Sequence, residues 1–140
     1  NINRGTIVIQ GVGPELTLRI SRRWHVQANA SLLDIDERDG LQPLRNRPER
    51  TAAANLSHDF EGGHTAFIGL SYSGDFLDRS NPTGDIRLSS FTVVNAAGSL
   101  RFGALRVSLG IDNLFDEDHE QFVGFPAQDR RLRFELRGEF

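Results

Sequence analysis

The chain closes on RLRFELRGEF, Arg131 to Phe140, and the reading of this stretch decides the fold. Leu132, Phe134, Leu136, Gly138 and Phe140 alternate with Arg131, Arg133, Glu135, Arg137 and Glu139. Apolar or small residues at every second position are the signature of a β-strand whose two faces meet different surroundings. In a soluble sandwich the apolar face meets a second sheet. In a transmembrane barrel it meets lipid, and the polar face meets a wet lumen.

Working back from the end, the same period recurs six times. Leu105, Val107, Leu109 and Ile111 alternate with Arg106, Ser108 and Asp112, and Val94, Ala96, Leu100 and Phe102 with Asn95, Ser99 and Arg101. HTAFIGLSYSGDF sets Ala66, Ile68, Leu70, Tyr72 and Phe76 against Thr65, Ser71, Ser73 and Asp75. TAAANLSHDF sets Ala52, Ala54, Leu56 and Phe60 against Thr51, Asn55, Ser57 and Asp59. Trp24, Val26, Ala28, Ala30 and Leu32 alternate with His25, Gln27, Asn29 and Ser31, and Leu16, Leu18 and Ile20 with Glu15, Thr17 and Arg19. With the closing strand these make seven. The expected class is all-β: an antiparallel up-and-down meander of seven or eight strands, a barrel or part of one.

The connections alternate in length. SRR, EGG and GA are tight turns, whereas DERDGLQPLRNRPER, DRSNPTGDIRLSS and DEDHEQFVGFPAQDR are long and polar. Short turns at one end and long loops at the other is the layout of an outer-membrane barrel. Ile7 and Ile9 fall on the opposite parity from Leu16 and Leu18, so a β-bulge is expected near GVGP, where Gly11 and Gly13 permit it. If the chain breaks there, residues 1–15 can supply an eighth strand.

The totals exclude more than they assign. At 140 residues the chain is expected to be one domain, 1–140. A net charge of −3 with dispersed basic residues leaves no nucleic-acid footprint. Cysteine is absent, so disulfides and thiolate metal sites are excluded. No apolar run approaches the roughly 18 residues of a membrane helix, and no signal-peptide pattern opens the chain.

Little chemistry is encoded. His58 and His64 flank the DFEGG turn and are the only metal candidates, without HxH, HxxxH or HExxH spacing. His25 reads as a lumen-facing polar residue and His119 as a loop residue. DIDERDG gathers Asp34, Asp36 and Asp39 near Gly40 but lacks the calcium-loop register. No Gly-x-Ser-x-Gly elbow and no serine–histidine–aspartate set can be placed. Neither an enzyme nor a bound cofactor is expected. Arg130, Arg131, Arg133 and Arg137, interleaved with Glu135 and Glu139, read as charge pairing across strands.

IDNLFDEDHEQFVGFPAQDRRLRFELRGEF, from Ile111 to Phe140, resembles the C-terminal end of a TonB-dependent outer-membrane receptor of the cobalamin and siderophore type. Asn113, Leu114, Phe115 and Asp116 match the segment that follows the penultimate strand of that family. Gly124 and Pro126, then Arg130 and Arg131, match the approach to the last strand. Phe140 resembles the terminal aromatic signal read by the barrel-assembly machinery. LRNRPER and RGTIVIQGV extend the resemblance over essentially the whole chain. The departures are His119 in place of tyrosine, Asp129 in place of glycine, and His58 and Leu100 in place of aromatic residues.

The resemblance implies a bacterial outer-membrane origin and a place in a barrel of about 22 strands. It implies no plug and no coupling element within these residues, hence no transport by this segment alone. Outer-membrane lipid or detergent and the barrel-assembly machinery are the implied partners. Two open strand edges further predict self-association. The alternative is a water-soluble or engineered self-associating β-domain derived from such a receptor.

Overall fold

In a computed structural model the described residues are 6–37, 44–80 and 84–138. Twelve strands follow in chain order: β1 (Ile7–Val12), β2 (Glu15–Arg19), β3 (Trp24–Glu37), β4 (Arg50–Asp59), β5 (Thr65–Ser73), β6 (Phe76–Ser80), β7 (Gly84–Leu88), β8 (Phe91–Phe102), β9 (Leu105–Asp112), β10 (Glu120–Phe122), β11 (Phe125–Pro126) and β12 (Arg131–Gly138). One antiparallel sheet takes eight of them in the order β1-β3-β4-β5-β8-β9-β12, with β2 also on β3, and it does not close. Two small hairpins, β6–β7 and β10–β11, stand apart from it.

Each expected strand is present, and the register assembles their apolar positions into one surface. Leu18 faces Val26, which faces Leu56, which faces Ile68, which faces Ala96. Ala96 faces Ile111, which faces Leu132. A paired residue and its partner share a face, so the apolar stripe runs unbroken from one edge of the sheet to the other. The opposite face carries Thr17, Gln27, Asn55, Gly69, Asn95 and, further on, Ser99 opposite Ser108.

The expected bulge at GVGP is absent. Val12 faces Leu32 and Glu15 faces Asn29, so no extra residue is inserted between β1 and β2. The Ala30 amide donates to the Pro14 carbonyl at 3.0 Å, which keeps the chain on the same path. β1 is therefore a continuation of β2 along one edge of β3, and the meander is seven positions wide. The parity change is instead a switch in which face of the same continuous ladder carries the apolar side chains. Beyond Leu32 the outward positions become Asp34, Asp36 and Gln10, and Ile9, Leu33 and Ile35 lie on the other face. Gly11 is required there: a Cβ would sit 2.6 Å from both the Leu32 carbonyl oxygen and a Leu33 methyl.

The tight connections are as expected. Ser21 Oγ accepts the amides of Arg23 and Trp24 at 3.1 and 3.2 Å in the first. A 3-10 turn, Glu61–Gly63, makes the second, with φ of 81° at Gly62 and 82° at Gly63 that suits glycine. The long loops depart from expectation. Phe76 does not extend the apolar face of β5 but begins β6, where it is buried. DEDHEQFVGFPAQDR holds the short β10–β11 hairpin.

Candidate functional site

The large apolar face has nothing from this chain against it. Leu109 is 61% exposed, Phe134 67% and Leu132 74%. These are side chains that normally sit in a core. No charged residue interrupts the stripe between Val26 and Leu132, and Arg50 and Asp34 stand at its loop-bearing end. A surface this long and this apolar is a contact surface.

At the short-turn end the stripe finishes in rings. Trp24 and His58 face each other in register with centroids 4.1 Å apart, and Phe60 meets the His58 ring edge-on at 4.3 Å. His58 thus occupies an aromatic position as an aromatic. Its Nδ1 is buried and has no hydrogen-bond partner. The His64 ring is placed differently: Nδ1 accepts the Arg101 amide at 3.0 Å, and Phe102 is the adjoining ring at 6.4 Å. The two histidines of the DFEGG turn take separate partners, and no group of three or more metal-ligating side chains occurs among the described residues.

The opposite face is polar and charged. Asp112 on β9 accepts from Arg133 at 2.7 Å and from Arg131 at 3.1 Å across the β9–β12 ladder. Charge pairing across neighbouring strands was expected of this arginine strip; for Arg131 and Arg133 the acid is Asp112 of β9, directly opposite Arg131. Thr65 and Ser99 hydroxyls bond at 2.8 Å, and Arg106 donates to Ser99 Oγ at 3.0 Å. His25 lies on this face, 3.8 Å from Asp59.

Asn113, Leu114, Phe115 and Asp116 form the exit from β9. Asn113 has φ of 51° and is 4% exposed. Asparagine tolerates that left-handed conformation better than most residues. Its amide donates to Asn95 Oδ1 at 2.9 Å, its Oδ1 accepts the Glu117 amide, and its Nδ2 donates to the Glu117 carbonyl. Leu114 extends the ladder to Val94 at 2.7 Å. Asp116 Oδ1 accepts the Arg130 amide at 2.8 Å, tying the start of this loop to its end. Phe115 is 73% exposed. Gly124 turns the β10–β11 hairpin with φ of 79°, and Pro126 pairs with Glu120. Phe140 lies outside the described residues.

One residue that sequence reasoning passed over organises the long loops. Asp78 in β6 is 7% exposed. Its Oδ2 accepts the Val123 amide and its Oδ1 the Arg79 amide, both at 2.7 Å, and the Asn46 side chain reaches it as well. The Val123 amide, above all, holds the Asp78 carboxyl below the usual aspartate range. Asn46 also donates its amide to the Leu77 carbonyl at 2.7 Å, and Arg45 pairs with Asp85 at 2.8 Å. The chain at Arg45 and Asn46, strands β6 and β7, and the turn at Val123 are thereby bonded together. Beside them, Ile35, Leu44, Arg47, Arg50, Tyr72 and Arg87 help line a cavity of about 280 Å³.

An open antiparallel sheet with one apolar face, one polar face and hydrogen-bonded loops at one end is matched by known proteins. The family model described as TonB dependent receptor-like, beta-barrel matches residues 1–114. No curated protein sequence matches the chain. Among solved structures, Pseudomonas aeruginosa FpvA in complex with iron-loaded pyoverdine superposes with a TM-score of 0.82 at 20% identity, over 96% of this chain and 20% of that one. The ferric-catecholate import receptor Fiu of Escherichia coli gives 0.81 at 17% identity, over 98% and 21%. The siderophore receptor PiuA of Acinetobacter baumannii gives 0.80 at 16%, over 94% and 22%. The chain spans about a fifth of each of these structures. With most of its length matched by the family model and its two unlike faces laid out in register, the chain belongs to the TonB-dependent receptor β-barrel family of the bacterial outer membrane.

Proposed function

We propose that these residues form the C-terminal part of the barrel wall of a receptor that takes up a metal chelate, such as a ferric siderophore or cobalamin. The observation that carries this reading is the uninterrupted apolar stripe backed by a hydroxyl- and charge-rich face. Lipid covers the first, and the second lines the channel. The loops clustered around Asp78 then contribute to the mouth through which the chelate enters.

Seven strand positions do not enclose such a channel, so the segment alone is not transport-competent. The open edges, at β1–β2 and at β12, present unpaired backbone groups that lipid cannot satisfy. They pair with further strands of a receptor barrel, and β12 is the strand the assembly machinery engages.

Two measurements test this. Full-length chain reconstituted in vesicles should have Trp24 quenched by brominated lipid, and it should bind ferric siderophore or cobalamin with quenching of its own fluorescence. The segment alone in the same vesicles should pass neither chelate. A compact, soluble oligomer of the segment in water, with Trp24 unquenched by lipid, would favour the self-associating soluble domain instead.

A further inference from the structure

Between Phe60 and Leu100, at the short-turn end of the outer face, the wall is indented. Ala66 faces Gly98 there, and Ala96 follows beside Ile68, so the small side chains leave a furrow among large ones. Phe60 is 50% exposed and Leu100 51%. Next along the same two strands, two residues from Ala66 and from Gly98, His64 and Leu100 join Arg23, Phe60, Glu61 and Thr65 in lining a recess of about 580 Å³.

The mouth of the recess holds charge of both signs. Arg23 Nη2 bonds Glu61 Oε1, and both side chains are exposed, at 51% and 81%. An exposed pair of this kind contributes little by itself and exchanges readily for other partners. His64 adds a donor. Because its Nδ1 accepts the Arg101 amide, the neutral ring carries its proton on Nε2.

We propose that this recess binds one phospholipid with a phosphoethanolamine headgroup, an inference that rests on the membrane-wall reading above. The phosphate takes Arg23 and the His64 Nε2–H, the primary ammonium takes Glu61, and an acyl chain lies along Ala66, Gly98 and Ala96. Charge complementarity selects this occupant. A purely anionic headgroup leaves Glu61 repelling it, and a quaternary ammonium has no N–H to give Glu61. The inserted zwitterion replaces one internal ion pair with two external ones, each charge-assisted at the edge of a low-dielectric layer.

The test uses full-length protein in detergent, freed of lipid and then offered phosphatidylethanolamine, phosphatidylglycerol or phosphatidylcholine, with retention counted by native mass spectrometry. Wild type should retain one phosphatidylethanolamine about tenfold more strongly than either of the others, as expected for loss of one charged hydrogen bond. Glu61→Gln should abolish that preference, and Arg23→Gln should weaken all three lipids. Gly98→Leu should expel the chain from the furrow; a Cβ at Gly98 meets only the Thr65 carbonyl oxygen, at 3.5 Å, so the strand accommodates it. Equal retention of the three lipids by an inserted, heat-modifiable barrel overturns the site alone. Undiminished binding in Gly98→Leu does the same. Loss of heat-modifiable mobility in wild type overturns the membrane reading and the site with it.

Discussion

The wall and the loop cluster solve the same problem in opposite ways. In the wall, Leu109 and Phe134 remain more than half exposed, and almost nothing hydrophobic is buried by the chain itself. In the cluster, Phe76 is 8% exposed and Leu88 9%, the only buried hydrophobic side chains among the described residues. The wall depends on its surroundings to cover it, and the backbone ladder supplies its order. The loops hold themselves instead, with a small core and a buried carboxylate. Polar groups mark the difference too. The wall sets its hydroxyls and charges on the face opposite the apolar stripe, whereas Asp78 turns inwards and accepts the amide of its neighbour Arg79 and that of Val123 from a distant loop.

The sharpest way to break this comparison is a pair of neighbours on one strand. Leu109→Arg puts a cation on the lipid side and should cost about 3 kcal/mol of folding stability in vesicles. Ser108→Arg, on the lumen side, should cost less than about 0.5 kcal/mol. Equal costs in a denaturant titration would mean that the two faces do not meet different media.

The loop core is the next test. Leu88→Ala should cost about 2 kcal/mol of local stability in the β6–β7 hairpin. Hydrogen exchange should register it there while amides of β5 and β8 keep their protection, since the wall does not rest on this core.

A smaller effect follows from the carboxylate at its centre. Asp78→Ala leaves the Val123 and Arg79 amides unpaired and should weaken the cluster by about 1.5 kcal/mol. The pH arm has a definite sign. The Asp78 carboxyl is lowered in the folded state, so its contribution is complete above the ordinary aspartate value. It is lost as the pH falls below about 4 and through the lowered native value. The protection factor of the Val123 amide should drop in that window in wild type and stay flat in Asp78→Ala.

The smallest expected effect is at the rim of the same cluster. Arg45→Gln removes a partly exposed pair with Asp85 and should cost about 0.5 kcal/mol or less. A cost equal to that of Asp78→Ala would shift the centre of the cluster from the buried carboxylate to its surface ion pairs.

The strands and their two faces were legible because alternation is local: each residue's side follows from its place on an extended chain, and apolar and polar side chains are sorted between the two sides consistently. The NLFD exit was legible only through resemblance. Nothing in the spelling of Asn113 announces that its backbone amide would meet the Asn95 side chain, eighteen residues earlier, while its own carboxamide holds Glu117. The inversion beyond Leu32 was misread as a bulge for a physical reason. A one-residue insertion and a switch of the apolar face within an unbroken ladder both reverse the parity of apolar residues, and only cross-strand register separates them.

By itself, then, the order of residues determined a two-faced antiparallel wall, its tight turns and its long loops, since these rest on short-range periodicity and turn chemistry. The tertiary structure alone decided that β1 prolongs β2, that Asp112 answers Arg131 and Arg133, and that Asp78 binds three loops. Those facts depend on which distant segments become neighbours, and the distance along the chain carries no trace of that until the sheet sets its register.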